Sequence, residues 1–339
     1  MNIQAELKQT IEDLVDPKRG ILAADESDPT MAKRFLAIDV ESNQENRRIW
    51  RSLLLNTPGL GEYISGVILF EETLLQRNDA DILLPQIAWQ QKIVPGIKVD
   101  KGTRALSGAP GDLITQGLDG LAERLSMYKR QGARFAKWRE VYPITDNNPT
   151  RRGRLANAEV LARYASICQE LGIVPIVEPE VLMDGYHDIG RCEEVTEQVL
   201  DDVFAALKLH GVCLEEMLLK PNMVLPGKQC RKAEPEEVAE ATLKILKRSV
   251  PAAVPSINFL SGGQGSEEAT ANLSAINRLA LNPPWQLSIS FGRALQQPAL
   301  KAWKGQPKNI QVAQMALLKR ARLNSIARSG KYNRSDETG

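Results

Sequence analysis

Eight short apolar runs, most closing on a charged or hydroxyl residue, alternate along the chain with segments of helical periodicity, and no Pro/Gly/Ser-rich linker divides them. These observations predict an α/β protein, a single (β/α)₈ TIM barrel with an extra N-terminal helix and a short polar C-terminal tail. A chain of 339 residues would ordinarily suggest about two domains, but barrels of this kind reach such lengths as one. The barrel is expected over residues 1–329 and a flexible tail over residues 330–339.

Residues 1–15 read as a helix added before the first strand. The strands are expected at 20–25, 65–71, 95–100, 133–138, 173–178, 217–220, 256–261 and 285–291. Several lack clean alternation, as parallel strands buried on both faces do. Pro179 and Pro221 directly follow Glu178 and Lys220, and a residue before proline is biased toward extended backbone. Between the runs, Leu121, Leu125 and Tyr128 share one face of a helix over 119–128, and residues 157–171 repeat apolar side chains at intervals of three and four. Pro235 with Glu236 and Glu237 marks a helix start, where proline's missing N–H is harmless and the helix dipole favours carboxylates.

The 43 Lys+Arg and 42 Asp+Glu leave a net charge of +1 without a basic run, which argues against a nucleic-acid partner. Met1 to Leu7 shows no signal-peptide pattern, and no apolar stretch nears the roughly 18 residues of a membrane span. A cytoplasmic protein without membrane contact is expected. Cys168, Cys192, Cys213 and Cys230 form no C-x-x-C pair and read as buried reduced thiols; His187 and His210 lack metal-ligand spacing. Neither a metal nor another cofactor is expected.

Active sites of this barrel lie at the C-terminal ends of the strands. Those ends offer Asp25, Glu71 or Glu72, Lys98 with Asp100, Lys137, Glu178, Lys220, Ser261 and Ser290. Lys220 is the most informative, because burial and a second ammonium such as Lys137 would both favour its neutral, nucleophilic form. A neutral lysine attacks a carbonyl and forms a Schiff base, whose protonated imine withdraws electrons as a carbon–carbon bond β to it breaks. Glu178 could move the proton during water loss and Asp25 could take a substrate hydroxyl proton, although each alone could equally be a structural ion pair. Glycines in Ser261-Gly262-Gly263-Gln264-Gly265 and Phe291-Gly292-Arg293 would permit positive φ and expose N–H groups to a phosphate, with Arg293 adding a bidentate cation.

These residues resemble a known family, the class I, Schiff-base fructose-1,6-bisphosphate aldolases. The resemblance runs from about residue 5 to about residue 332. It is carried by the blocks at 20–27, 97–102, 135–139, 177–180, 218–223, 260–264 and 292–295. It implies reversible cleavage of fructose 1,6-bisphosphate to dihydroxyacetone phosphate and glyceraldehyde 3-phosphate in glycolysis and gluconeogenesis. In that likeness Lys220 matches the Schiff-base lysine, Glu178 its proton carrier, Asp25 the residue serving bond cleavage, and Lys137 the lysine assisting carbinolamine formation. Lys98, Arg139 and Glu180 match neighbours in the site; Ser261, Gly262 and Arg293 match the ketone-side phosphate site; Lys33 and Arg34 match basic residues near the substrate mouth. The family usually forms homotetramers.

The chain departs from the family pattern at several points. Asp28-Pro29-Thr30 keeps a hydroxyl at Thr30 but brings a negative charge toward the second phosphate. Leu214-Glu215-Glu216-Met217 precedes the Schiff-base lysine, and Phe291 replaces a frequent tyrosine. The given sequence ends at Gly339 without the family's terminal tyrosine, so enamine protonation is expected to use Glu178, water or another group, and removal of residues 333–339 is expected to leave cleavage largely intact. Two other readings are a Schiff-base lyase for another phosphorylated ketose, such as sedoheptulose 1,7-bisphosphate, and a non-catalytic anion-binding scaffold.

Overall fold

A computed structural model describes residues 2–338. Its strands are β1 (Gly20–Ala24), β2 (Ile64–Leu69), β3 (Val94–Lys98), β4 (Thr103–Ala105), β5 (Leu113–Thr115), β6 (Phe135–Tyr142), β7 (Val174–Val181), β8 (Leu218–Leu219), β9 (Ser256–Phe259) and β10 (Gln286–Phe291). Eight of them close a parallel barrel in the order β1-β10-β9-β8-β7-β6-β3-β2, and each predicted run contributes one; β4 and β5 form a separate antiparallel hairpin. The helices are α1 (Ile3–Leu14), α2 (Asp28–Leu36), α3 (Gln44–Leu55), α4 (Leu84–Gln90), α5 (Leu121–Arg130), α6 (Arg151–Glu170), α7 (Ile189–Leu209), α8 (Pro235–Ser249), α9 (Ser266–Leu279), α10 (Arg293–Trp303) and α11 (Ile310–Arg328). The (β/α)₈ prediction therefore holds.

Strand ends differ from expectation for local reasons. β6 and β7 run on to Tyr142 and Val181 because they pair with each other throughout, from Phe135↔Val174 to Tyr142↔Val181. Val174 and Leu182 donate their N–H groups toward β6, so the alternating ladder turns Pro179 to the other side, where β8 has already ended and no donor is required. β8 is only two residues long because Pro221 supplies no N–H to continue it. The β4–β5 hairpin went unpredicted since the Thr103–Ala105 strand is exposed and carries no apolar run.

The expected N-terminal helix is α1; Met1 lies outside the described residues. Its Leu7, Ile11 and Leu14 plug the N-terminal end of the barrel against Ile21, Ile68, Val94, Phe135, Val174, Ile176 and Leu218. Gly96 makes this plug possible, because a Cβ there would stand 2.3 Å from the Phe135 ring. After α11, a 3₁₀ turn at Arg334–Glu337 packs back, with Glu337 accepting from Arg320 at 2.6 and 2.8 Å and from the Tyr332 hydroxyl at 2.7 Å. Gly339 lies outside the described residues.

Candidate active site

Side chains alternate across a strand, and here that period places charge directly above the plug. On β6 the inward row is Phe135, Lys137, Arg139; on β7 it is Val174, Ile176, Glu178, Glu180; Lys220 follows Leu218, and Asp25 follows Ile21 and Ala23. The upper members of these rows line a cavity of about 740 Å³ at the C-terminal mouth.

Lys137 sits at the centre of the charges, 4% exposed, with its Nζ 2.9 Å from Asp25, 3.1 Å from Glu178 and 3.9 Å from Asp100. Burying an ion costs several kcal/mol, and a single partner need not repay that. Burial accordingly acts to lower the Lys137 pKa, but Asp25, Glu178 and Asp100 outweigh it and hold the ammonium well above its ordinary value. Burial acts in the opposite sense on Asp25, yet Lys137, Lys220 and Lys98 together hold its carboxyl well below the usual carboxylate range. Lys220, also 4% exposed, meets one carboxylate: its Nζ is 3.1 Å from the second oxygen of Glu178. Glu178 thus bridges the two lysines. Lys98 pairs with Asp100 at 2.9 Å and Arg139 with Glu180 at 2.5 Å.

A glycine-rich turn opens into the same cavity. Gly262 and Gly263 have φ of +44° and +88°, a left-handed pair that only glycine adopts freely, and they lead into the N-terminus of α9. Gly292 departs from the expected positive φ, at −99°. A Cβ there would make only ordinary contacts, 3.5 Å from Ala23 O and 3.8 Å from Arg34 Nη2, so neither positive φ nor close approach demands glycine at this position. Arg293 begins α10 beside it and reaches Gln264 O at 3.4 Å. From α2 come Thr30, Lys33 and Arg34. Residues at the ends of seven barrel strands and from α2 and α10 thereby meet around one cavity containing a lysine pair, several carboxylates and a glycine turn.

The family model "Fructose-bisphosphate aldolase class-I" matches residues 6–339. The chain belongs to the class I fructose-bisphosphate aldolase family. It is 54% identical over 331 residues to a fructose-bisphosphate aldolase of Drosophila melanogaster, covering 97% of this chain and 92% of that one. It is 52% identical to fructose-bisphosphate aldolase C of Homo sapiens, covering 99% and 94%. A Plasmodium falciparum fructose-bisphosphate aldolase, solved in complex with TRAP and a small-molecule inhibitor, superimposes with a TM-score of 0.96 at 49% identity, covering 98% of this chain and 96% of that one. The activity is that of a fructose-bisphosphate aldolase, and these likenesses favour neither the sedoheptulose lyase nor the silent scaffold.

Set against the aldolase pattern, Asp28, residues 214–217 and Phe291 fall outside the cavity. Asp28 does not line it, although its neighbours Ser27 and Thr30 do; its carboxylate lies 3.3 Å from Arg47, which Glu72 also holds at 2.7 Å. Leu214–Glu216 forms a 3₁₀ turn before β8, at the opposite end of that strand from Lys220. Phe291 is fully buried and does not reach the cavity. Of the strand-end candidates, Glu71 pairs with Lys101 and Glu72 with Arg47 and Arg51, all away from the cavity. Sequence reasoning missed Glu26, Ser27, Thr103 and Gln297 in the wall. Glu26 was signalled by its place next to Asp25; Gln297, one turn into α10, carried no signal.

Proposed function

We propose that this aldolase cleaves fructose 1,6-bisphosphate through a Schiff base at Lys220. The observation that carries this reading is Glu178, with one carboxylate oxygen 3.1 Å from Lys220 Nζ and the other 3.1 Å from Lys137 Nζ. Lys220 Nζ attacks the ketone carbon C2, and the carbinolamine hydroxyl leaves as water with a proton carried by Glu178, while Lys137 remains a fixed ammonium beside the developing charge. Asp25, kept as carboxylate by the lysines, accepts the C4 hydroxyl proton. The C3–C4 bonding pair then moves into the protonated imine, leaving the enamine on Lys220 and releasing glyceraldehyde 3-phosphate. Protonation of C3 and hydrolysis return dihydroxyacetone phosphate and the free lysine.

The Ser261–Gly263 cradle with Arg293 suits the ketone-side phosphate, and Thr30, Lys33 and Lys98 suit the other. Arg34 stands beside Gly292, and Arg139 with Glu180 walls the mouth. Among the described residues no helix is long and apolar enough to cross a membrane, and two Arabidopsis thaliana relatives are named cytosolic aldolases, which supports a cytosolic place of action. Assembly as a homotetramer belongs to the same reading and is measurable by sedimentation.

Borohydride added with dihydroxyacetone phosphate should fix the ketone half onto Lys220, located by mass spectrometry, and EDTA should leave turnover unchanged. Lys220→Met should abolish fixation and cleavage. An adduct at another lysine, or none, sinks the assignment.

A further inference from the structure

Asp25 is held at its carboxylate by Lys137, but the turn that carries it is held by side chains outside the cavity. Two carbonyls flank Asp25, and each accepts from a buried group of a different helix. Ala23 O takes Gln296 Nε2 of α10 at 2.6 Å, and Glu26 O takes Arg51 Nη2 of α3 at 2.8 Å. Both donors are 1% exposed, and neither lines the cavity.

Each donor is itself fixed. Gln296 Oε1 accepts from Trp50 Nε1 at 3.0 Å, and its amide nitrogen also reaches Glu26 Oε1 at 2.7 Å. Arg51 is paired with Glu72 and lies 5.5 Å over the Phe70 ring. The same Glu26 oxygen accepts from Arg34, whose guanidinium lines the cavity. Arg51 Nε and the second Glu26 oxygen have no partner, so the turn is held by the bonds to Ala23 O, Glu26 O and Glu26 Oε1, and losing any of them would leave a further buried polar group unpaired.

We infer that Gln296 and Arg51 are positioning residues for carbon–carbon cleavage, clamping the turn from both sides so that the Asp25 carboxylate meets the hydroxyl it deprotonates. The inference rests on the role given to Asp25 above. It separates the steps of the reaction, because imine formation uses Lys220, Glu178 and Lys137, whose strands the clamp does not touch, and Lys137, though paired with Asp25, keeps Glu178 at 3.1 Å and Asp100 at 3.9 Å as partners when Asp25 shifts. A misplacement near 1 Å at Asp25 would slow bond cleavage while leaving the ketone half free to form its imine.

The test compares Gln296→Met and Arg51→Lys in the full chain with the unmodified protein. It reads kcat and KM for fructose 1,6-bisphosphate and the rate at which borohydride fixes dihydroxyacetone phosphate onto Lys220. The expected result is a fall in kcat on the order of 10²-fold, KM within about threefold, and fixation at the original rate. Fixation that slows in proportion to kcat would show general loosening and overturn the inference, as would an unchanged kcat. Should Gln296→Met fail to fold, Arg51→Lys, which keeps the cation beside Glu72, decides by the same split. If the unmodified protein does not fix the ketone at Lys220, the Schiff-base reading fails before any variant is compared.

Discussion

The two ends of the barrel are built from the same strands and do opposite work. At the N-terminal end the inward rows present Phe135, Val174, Ile176 and Leu218 to the apolar face of α1, forming a buried apolar plug. One inward step up β6 and β8, and at Glu178 on β7, the rows turn to charge, and Lys137, Glu178 and Lys220 meet with side chains only 4–5% exposed. The plug is held by packing, which any well-shaped apolar set could supply. The mouth persists because three carboxylates share Lys137 and Lys220 has a share in one of them. The contrast assigns stability to one end and chemistry to the other, although Phe135 and Lys137 are only two residues apart.

That separation can be attacked from both ends. Lys137→Met should lower kcat by about 10²–10⁴-fold, since it removes the fixed ammonium and leaves Asp25, Asp100 and Glu178 crowded without it. Phe135→Ala should instead cost about 3–5 kcal/mol of stability by opening a cavity in the plug, with kcat of the folded fraction held within about twofold. Denaturant titration and steady-state kinetics on both variants measure the pair. A Phe135→Ala protein whose kcat collapses at low denaturant would show that the ends are not separable.

Much of the mouth was legible because strand period and strand order are local properties. Apolar runs located all eight barrel strands, and the charged residue at the top of each run brought Asp25, Lys137, Glu178 and Lys220 to one cavity. The parts that were not legible depend on distant partners. Gln296 and Trp50 lie 246 residues apart, and nothing near either announces the bond between them. Asp28 read as a threat to the second phosphate because Arg47, on the next helix, was invisible as its partner. The β4–β5 hairpin escaped for another reason: its exposed strand has no pattern to read.

Glu140 sits at the border between the two regimes. It is 1% exposed, on the outer face of β6 next to Arg139, and its oxygens accept from Trp138 Nε1 at 2.9 Å and Thr115 N–H at 3.0 Å. Burial pushes its pKa up to about 8; the two donors oppose the rise, and the Asp100 charge adds to it. The folded protein therefore binds this proton more tightly than the unfolded chain does. The resulting stabilisation is complete below the ordinary value of 4.5 and is lost as pH rises through about 8. Asp25 has the opposite sign, contributing above the unfolded carboxylate range and losing its contribution in strong acid. Glu140→Gln should flatten the decline in stability between pH 5 and 8, an effect of roughly a few kcal/mol, measured as unfolding free energy against pH. A decline of equal size in the variant would remove Glu140 as its cause.

The smallest effect concerns the rim of the mouth, where one acidic residue is kept off the substrate. Asp28 begins α2, so its charge stands at a helix N-terminus whose neighbours Ser27 and Thr30 face the cavity. Arg47 draws the carboxylate aside and is itself anchored by Glu72, which keeps Arg51 as a second partner. Asp28 is about half exposed, so solvent screening limits the consequence of freeing it. Arg47→Gln should raise KM for fructose 1,6-bisphosphate by roughly twofold to fivefold, with less change for fructose 1-phosphate, which lacks the second phosphate. Loss of the arginine's own charge would produce a similar rise, and the double variant distinguishes the two causes. If Arg47 acts by restraining Asp28, then Asp28→Asn should restore KM in the Arg47→Gln background and change little in the unmodified protein. Additive effects would mean that Arg47 contributes only its positive charge and that Asp28 never approaches the phosphate.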